Sequence, residues 1–370
     1  MKPYVRRNWP HLLLFALGMV VLVYVLRRAD LAEIRLVLAA ISPADALLLL
    51  LVNLVVLVIF SGRWWLFLHA QGYRIPYHKL VGYRLAAFGV SYFTPGPHFG
   101  GEPLQVYLVT QRHGVPASAS IAAVTLDKIF ELIVNFTFLA AGLLFVIRTQ
   151  VAPADVGNDA VFYALGLLAL PLVLLALLWR GRHPLSGALG ALRRVTDGPR
   201  LQRWQAVLRT SEDDVAVLCR TQPSILTAAL GVSLLSWAAI IGEYWLMTRL
   251  LGLPLTLEQA LLALVAARIA ILLPMPAGLG ALEASQVLAL QMLGFSGATG
   301  ATIALIIRAR DVFLGLIGLW IGGAGIWTVT VTASQEEAAL VPVPVSEPVP
   351  VSDSIPNPST ITPSSYTSSS

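Results

Sequence analysis

The sequence predicts an all-α, polytopic membrane protein of six full transmembrane helices and two re-entrant helical hairpins arranged as an inverted repeat. Three observations lead there. Hydrophobic residues make up 57% of the 370 and charged residues 12%, about half the charged share of an ordinary soluble domain. The apolar residues run in blocks long enough to cross ~30 Å of hydrocarbon at about 1.5 Å per helical residue. Two further apolar blocks are broken by proline and glycine at matching positions.

The first block, 11–27, follows Lys2, Arg6 and Arg7. It has no small-residue cleavage site and runs into Arg27 and Arg28, so it reads as a retained span and not as a secretory signal. Full spans follow at 44–69, 117–147, 160–180, 223–251 and 297–330. The broken stretches are Lys79 to His113, interrupted at Thr94-Pro-Gly-Pro-His-Phe-Gly-Gly101, and Leu257 to Leu293, interrupted at Pro274-Met-Pro-Ala-Gly-Leu-Gly280. Pro95, Gly96, Gly100 and Gly101 in the first, and Pro276, Gly278 and Gly280 in the second, predict a turn between two half-helices. Backbone freed at such a turn finds no partner in lipid and must face protein or a wet cavity. Residues 1–332 thus form one transmembrane domain, with repeat units at about 79–147 and 257–330. From 333 to 370 the chain turns to Glu, Pro, Val and Ser and predicts a disordered tail.

Basic residues set the orientation. Arg63, Arg74, Lys79 and Arg84 follow the second span and eight arginines lie from Arg180 to Arg220, whereas 149–159 holds no Lys or Arg. Both basic loops are expected on the cytoplasmic side of the cell membrane. Re-entrant hairpins keep them there together, with the N-terminus and the tail also cytoplasmic. Arg193, Arg194, Arg200, Arg203 and Arg209 beside Trp204 and Leu208 suit either an amphipathic segment on anionic lipid or a solvated connector.

Other classes are disfavoured. A single cysteine, Cys219, allows no intrachain disulfide, and the six histidines show no metal-ligand spacing. No cofactor or metal is expected. The net charge of +5 resides in arginines flanking spans, not in an interleaved basic and aromatic surface, so no nucleic-acid partner is expected. Asp213 and Asp214 have no metal-binding partners nearby, and no nucleophile sits beside an oriented base. An enzymatic role is not expected.

The two broken stretches share a register. Pro95 precedes Glu102 by 7 residues and Pro276 precedes Glu283 by 7; Asp127 lies 25 beyond the first Glu and Arg308 lies 25 beyond the second. Glycines Gly114 and Gly294 mark the joints before the following spans. Three full spans separate the two hairpins, which therefore enter from opposite faces, an architecture of secondary transporters.

Charges inside predicted membrane segments need partners or a function. They are Asp127, Lys128, Glu131, Glu243, Arg268, Arg308, Arg310 and Asp311. Asp127 and Glu131 share one helix face, and Arg308 and Asp311 another. One reading is a midplane site in which Arg308, Arg310 and Lys128 hold a phosphate while Asp127, Glu131 and Glu243 balance it; the other is that these charges only pair with one another. Glu102 and Glu283 open second half-helices, where a carboxylate caps free amides, and the same amides suit an anion. His98 lies in the first turn and reads as incidental.

The motifs Thr94-Pro-Gly-Pro-His-Phe-Gly-Gly-Glu102, Leu126-Asp127-Lys128, Pro274-Met-Pro-Ala-Gly-Leu-Gly-Ala-Leu-Glu283 and the following Arg308 resemble those of the lysylphosphatidylglycerol synthase transmembrane-region, or flippase-like, family. The resemblance covers the chain from the first span to about residue 330. It implies a membrane domain that moves lipids between leaflets, in some relatives alongside a lipid-modifying synthase domain that this sequence lacks. A separate lipid-modifying enzyme is then an expected partner, with membrane lipids as cargo: a phospholipid, an aminoacylated phospholipid or a polyprenyl-phosphate lipid. Pro97 and His98 replace the family's glycine-rich turn. An integral membrane transferase and a small-solute carrier are the alternatives.

Overall fold

The computed structural model describes residues 42–93, 100–148, 158–192, 198–273 and 278–339. The predicted span at 11–27, His98, Arg193, Arg194 and the turn residues Pro95, Gly96 and Pro276 lie outside them. Among the described residues the regular elements are eleven α-helices: α1 Pro43–Ala70, α2 Tyr77–Phe93, α3 Glu102–His113, α4 Ala117–Arg148, α5 Asn158–Trp179, α6 Pro184–Leu192, α7 Pro199–Thr221, α8 Pro223–Leu250, α9 Leu257–Leu272, α10 Ala281–Met292 and α11 Gly297–Ala339. Of these, α1, α4, α5 and α8 are long and apolar enough to cross a membrane. They match predicted spans to within two residues at every end. The sixth predicted span falls in α11, which carries Arg308, Arg310 and Asp311. Residues 333–339, read as the start of the tail, are helical; Ala, Gln and Glu there favour helix, and the first proline comes only at Pro342.

Local chemistry explains the ends. Ser42 and Asp45 form a capping box ahead of α1, with Pro43 in its first turn. Thr256 and Gln259 do the same for α9. At the other end of α1, Gly72 takes φ +89° and Tyr73 N–H reaches Leu68 O at 3.1 Å. Gly252 after α8 takes φ +72°, with Leu253 N–H on Thr248 O at 3.0 Å. Both are glycine-dependent helix stops with the same bonding.

These stops belong to a longer correspondence. The first residues of α1 and α8, of α2 and α9, and of α4 and α11 are each 180 apart, as are Gly72 and Gly252, and Gly114 and Gly294. This spacing of helix starts and glycines reaches upstream of 79 and 257 to include α1 and α8. Each set of four helices centres on a core cluster, with Leu226 and Ala229 of α8 joining the first and Leu49 of α1 joining the second. The first gathers Trp64, Phe67, Leu80, Leu108 and Leu126; the second gathers Tyr244, Met247, Leu264, Leu290 and Ile303.

The sets interlock. A Cβ on Gly318 of α11 would lie 2.0 Å from Leu85 O of α2, and one on Gly89 of α2 would lie 2.5 Å from Gly315 O. In the other direction, a Cβ on Gly142 of α4 would meet Val265 of α9 at 2.3 Å. Each set's first half-helix thus packs on the long last helix of the other, through glycines that let the helices approach. The sets also meet where α1 packs along α8, with Gly62 facing Val232.

Between the sets lie α5, α6 and α7. The predicted amphipathic character of 181–222 is present in α7, but its apolar face, with Val215, Leu218 and Cys219, is buried against α4 and α5. Trp204 points outward. Arg220 Nε donates to Trp179 O at 2.8 Å and covers the end of α5, while Glu212 accepts from Leu185 N and caps α6.

Candidate functional site

Each broken stretch carries one glutamate at the start of its second half-helix, and the two do the same work. Glu102 accepts from Gly100 N at 2.9 Å and pairs with Lys128 of α4 at 3.0 Å. Glu283 accepts from Gly280 N at 2.8 Å and pairs with Arg308 of α11. One oxygen satisfies a turn amide and the other binds a cation on the next helix. The carboxylates occupy the positions where an anion was an alternative.

Around Glu102 the first charge cluster draws on four helices. Arg63 of α1 reaches Asp127 at 3.0 Å and Arg84 of α2 reaches it at 2.8 Å. The same guanidinium groups lie 3.9 and 3.7 Å from Glu131, and Lys128 lies 3.2 Å from it. Both arginines also cover the Phe60 ring, at 4.6 and 4.2 Å. Arg63 NH1 donates to Ser233 of α8 at 3.1 Å. Asp127 and Glu131 do share one helix face, as their spacing predicts.

The cluster has a sealed side and an accessible side. Side chains of Arg63, Arg84 and Asp127 are 0, 7 and 5% exposed, whereas Lys128, Glu102 and Glu131 are 24, 25 and 31% exposed. The buried trio fixes α1, α2 and α4 against one another. The accessible trio presents two carboxylates and one ammonium to whatever enters between the helices.

The second cluster joins α8 and α11. Arg310 binds Glu243 and, at 2.8 Å, its own neighbour Asp311. Glu243 also accepts from Asn53 Nδ2 of α1 at 2.7 Å. Beside the pair runs a groove of about 500 Å³ between α1, α8 and α11, lined by Leu49, Leu50, Met247, Ile306 and Phe313, with Glu243 and Arg310 its two polar side chains.

The predicted single site is therefore divided. Lys128, Arg310 and Arg308 each have their own carboxylate partners and do not converge on one point. Arg308 and Asp311 take different partners: Glu283 binds Arg308, and Asp311 pairs with Arg310. Arg63 and Arg84, read as loop charges marking the cytoplasmic side, are instead buried in the first cluster. The signal available for Arg63 was the Trp64-Trp65-Leu66-Phe67-Leu68 run that continues the apolar block beyond it. Tyr92 of α2, which hydrogen-bonds Arg308 across the interlock, and Asn53 were not legible from spacing.

The family's sequence profile matches residues 11–318. The chain belongs to the lysylphosphatidylglycerol synthase transmembrane-region family. Among similar proteins, a UPF0104 membrane protein of Methanothermobacter thermautotrophicus is 28% identical over 131 residues, 35% of this chain and 37% of that relative. The match thus spans little more than a third of the relative's length. No solved structure matches. Both motifs on which the family resemblance rests fall in the matched region, and the glutamates of those motifs are the two that bridge turn amide and cation. Membership makes this a membrane protein of a lipid-related family.

Proposed function

We propose that the protein moves a lipid with a charged headgroup between the leaflets of the cell membrane. The observation that carries this is the accessible trio Glu102, Lys128 and Glu131, which keeps 24 to 31% of each side chain exposed within a stretch of membrane helices. Charges in such surroundings are costly unless paired or used, and these are paired to each other while remaining reachable. The headgroup exchanges places with one member of the trio, and an acyl or prenyl chain rests in the apolar groove bordered by Glu243 and Arg310.

In this reading the two sets of four helices are inverted, and the half-helix pairs α2–α3 and α9–α10 are re-entrant from opposite faces. The repeat distance of 180 residues and the matched glutamates support it. Both termini are cytoplasmic, the cargo is a phospholipid, an aminoacylated phospholipid or a polyprenyl-phosphate lipid, and a separate enzyme supplies any modified headgroup. The protein itself makes and breaks no covalent bond.

The test is leaflet exchange in liposomes carrying fluorescent anionic, aminoacylated or polyprenyl-phosphate lipids, with wild type beside Lys128→Gln and Glu102→Gln. Exchange by wild type and its loss in both variants, with unchanged thermal unfolding, is the expected result. Absence of exchange of any lipid by folded wild-type protein would refute the proposal.

A further inference from the structure

Six cations lie in the charge clusters or beside them, and five have a carboxylate within 4.0 Å: Arg63, Arg84, Lys128, Arg308 and Arg310. Arg268 of α9 differs. Among the described residues no carboxylate forms an ion pair with it, and its buried Nε has no hydrogen-bond partner. Its guanidinium carbon lies 4.9 Å from the centre of the Trp237 ring of α8, and Trp237 in turn packs on Phe138 of α4 at 4.3 Å. A guanidinium does not shed its charge in proteins, so Arg268 carries a full positive charge into the helix bundle with only an aromatic face beneath it.

The surroundings balance its charge without pairing with it: Arg310 is shared by two carboxylates, Glu243 and Asp311, which leaves one negative charge over. The charged groups acting on Arg268 are Arg310, Glu243, Asp311 and Glu131. Three of these are already held by other cations: Glu243 and Asp311 by Arg310, and Glu131 by Lys128 and the two buried arginines. The fourth, Arg310, repels it. The Trp237 ring holds the guanidinium by a cation–π contact that uses none of its N–H donors.

We propose that Arg268 is the seat for the phosphate of a membrane lipid, with Trp237 as the platform that orients it. The inference rests on the lipid-transport reading and adds the residue that binds the headgroup. Trp237, on which Arg268 stacks, belongs to α8, the helix that also brings Glu243 and Met247 to the apolar groove. In this assignment the chain lies in that groove and the phosphate at Arg268. Arginine suits this position better than lysine because two parallel N–H groups meet two phosphate oxygens.

The experiment is equilibrium binding to the full-length protein in detergent, by calorimetry, with three probes: dioctanoyl phosphatidic acid, dioctanoylglycerol and inorganic phosphate. Wild type is expected to bind the phosphatidic acid about tenfold or more tightly than Arg268→Gln does, the loss of a charge-assisted bidentate contact. Arg268→Lys and Trp237→Phe, which keep charge or ring, are expected to fall between. Dioctanoylglycerol is expected to bind all four proteins alike. Equal affinity of Arg268→Gln and wild type for phosphatidic acid overturns the assignment, and so does wild-type binding of inorganic phosphate as tight as that of the lipid. Because binding is read without leaflet exchange, the two proposals fail separately. Arg268-dependent binding with no exchange removes transport alone, and exchange with Arg268-independent binding removes the seat alone.

Discussion

Glu283 bridges Gly280 and Arg308: one oxygen accepts from the glycine amide at 2.8 Å, the other holds the guanidinium, and the side chain is 0% exposed. Removing one member of a buried pair strands the other charge, at a cost of about 3–5 kcal/mol. Glu283→Gln and Arg308→Ala are each expected to lower the thermal unfolding midpoint in detergent sharply. The double variant Glu283→Gln/Arg308→Met is expected to lose less than the sum of the two, because neither charge is then stranded.

In the first cluster, burial separates structure from function. Arg63→Met removes a 0% exposed guanidinium from Asp127 and is expected to destabilise the protein by several kcal/mol, on the order of 3 or more. Lys128→Gln alters the more accessible pair and is expected to cost less stability than Arg63→Met. It should unfold near the wild-type temperature while losing leaflet exchange. Circular dichroism melts beside the liposome assay read both quantities on the same preparations.

Neighbouring glycines in α11 should respond in opposite ways. Gly318→Ala places a methyl group 2.0 Å from Leu85 O, whereas nothing lies within 4 Å of a Cβ on Gly323. Forcing the first apart is expected to cost about 1–3 kcal/mol. The second should match wild type or gain slightly from better helix propensity. Unfolding midpoints of the two single variants decide it.

Cys219 sits wholly buried on α7, and burial pushes its thiol up to about 11. The reactive form is the thiolate, so iodoacetamide at pH 8 should leave the folded protein unmodified. After denaturation in dodecyl sulfate the same reagent should alkylate one site per chain, as read by intact mass.

Much of the fold was legible because lipid imposes a simple rule: apolar blocks of sufficient length become helices. Four spans and both interruptions follow from it, and the Glu102 and Glu283 spacing exposed the repeat. What spacing did not show was pairing across helices. Arg63 and Arg84 look like loop charges in one dimension because each is close to an apolar block's end, yet Asp127 draws both inward. The separate sets of carboxylate partners of Lys128, Arg308 and Arg310 depend on which helix faces meet. The start of the repeat at α1 was hidden as well, since its marks are two glycines at helix stops and not a shared motif.

The exchange of partners between the two sets of helices bears on how the molecule can be taken apart. With α2 seated on α11 and α9 on α4, each half covers only part of its own first half-helix. Cutting the chain in the segment between α6 and α7 leaves two fragments that each hold what the other needs. Expressed together they should find one another and co-purify, and expressed singly each should be left with an uncovered glycine seam. The covalent link between the halves is then dispensable for assembly, while the clasp is not.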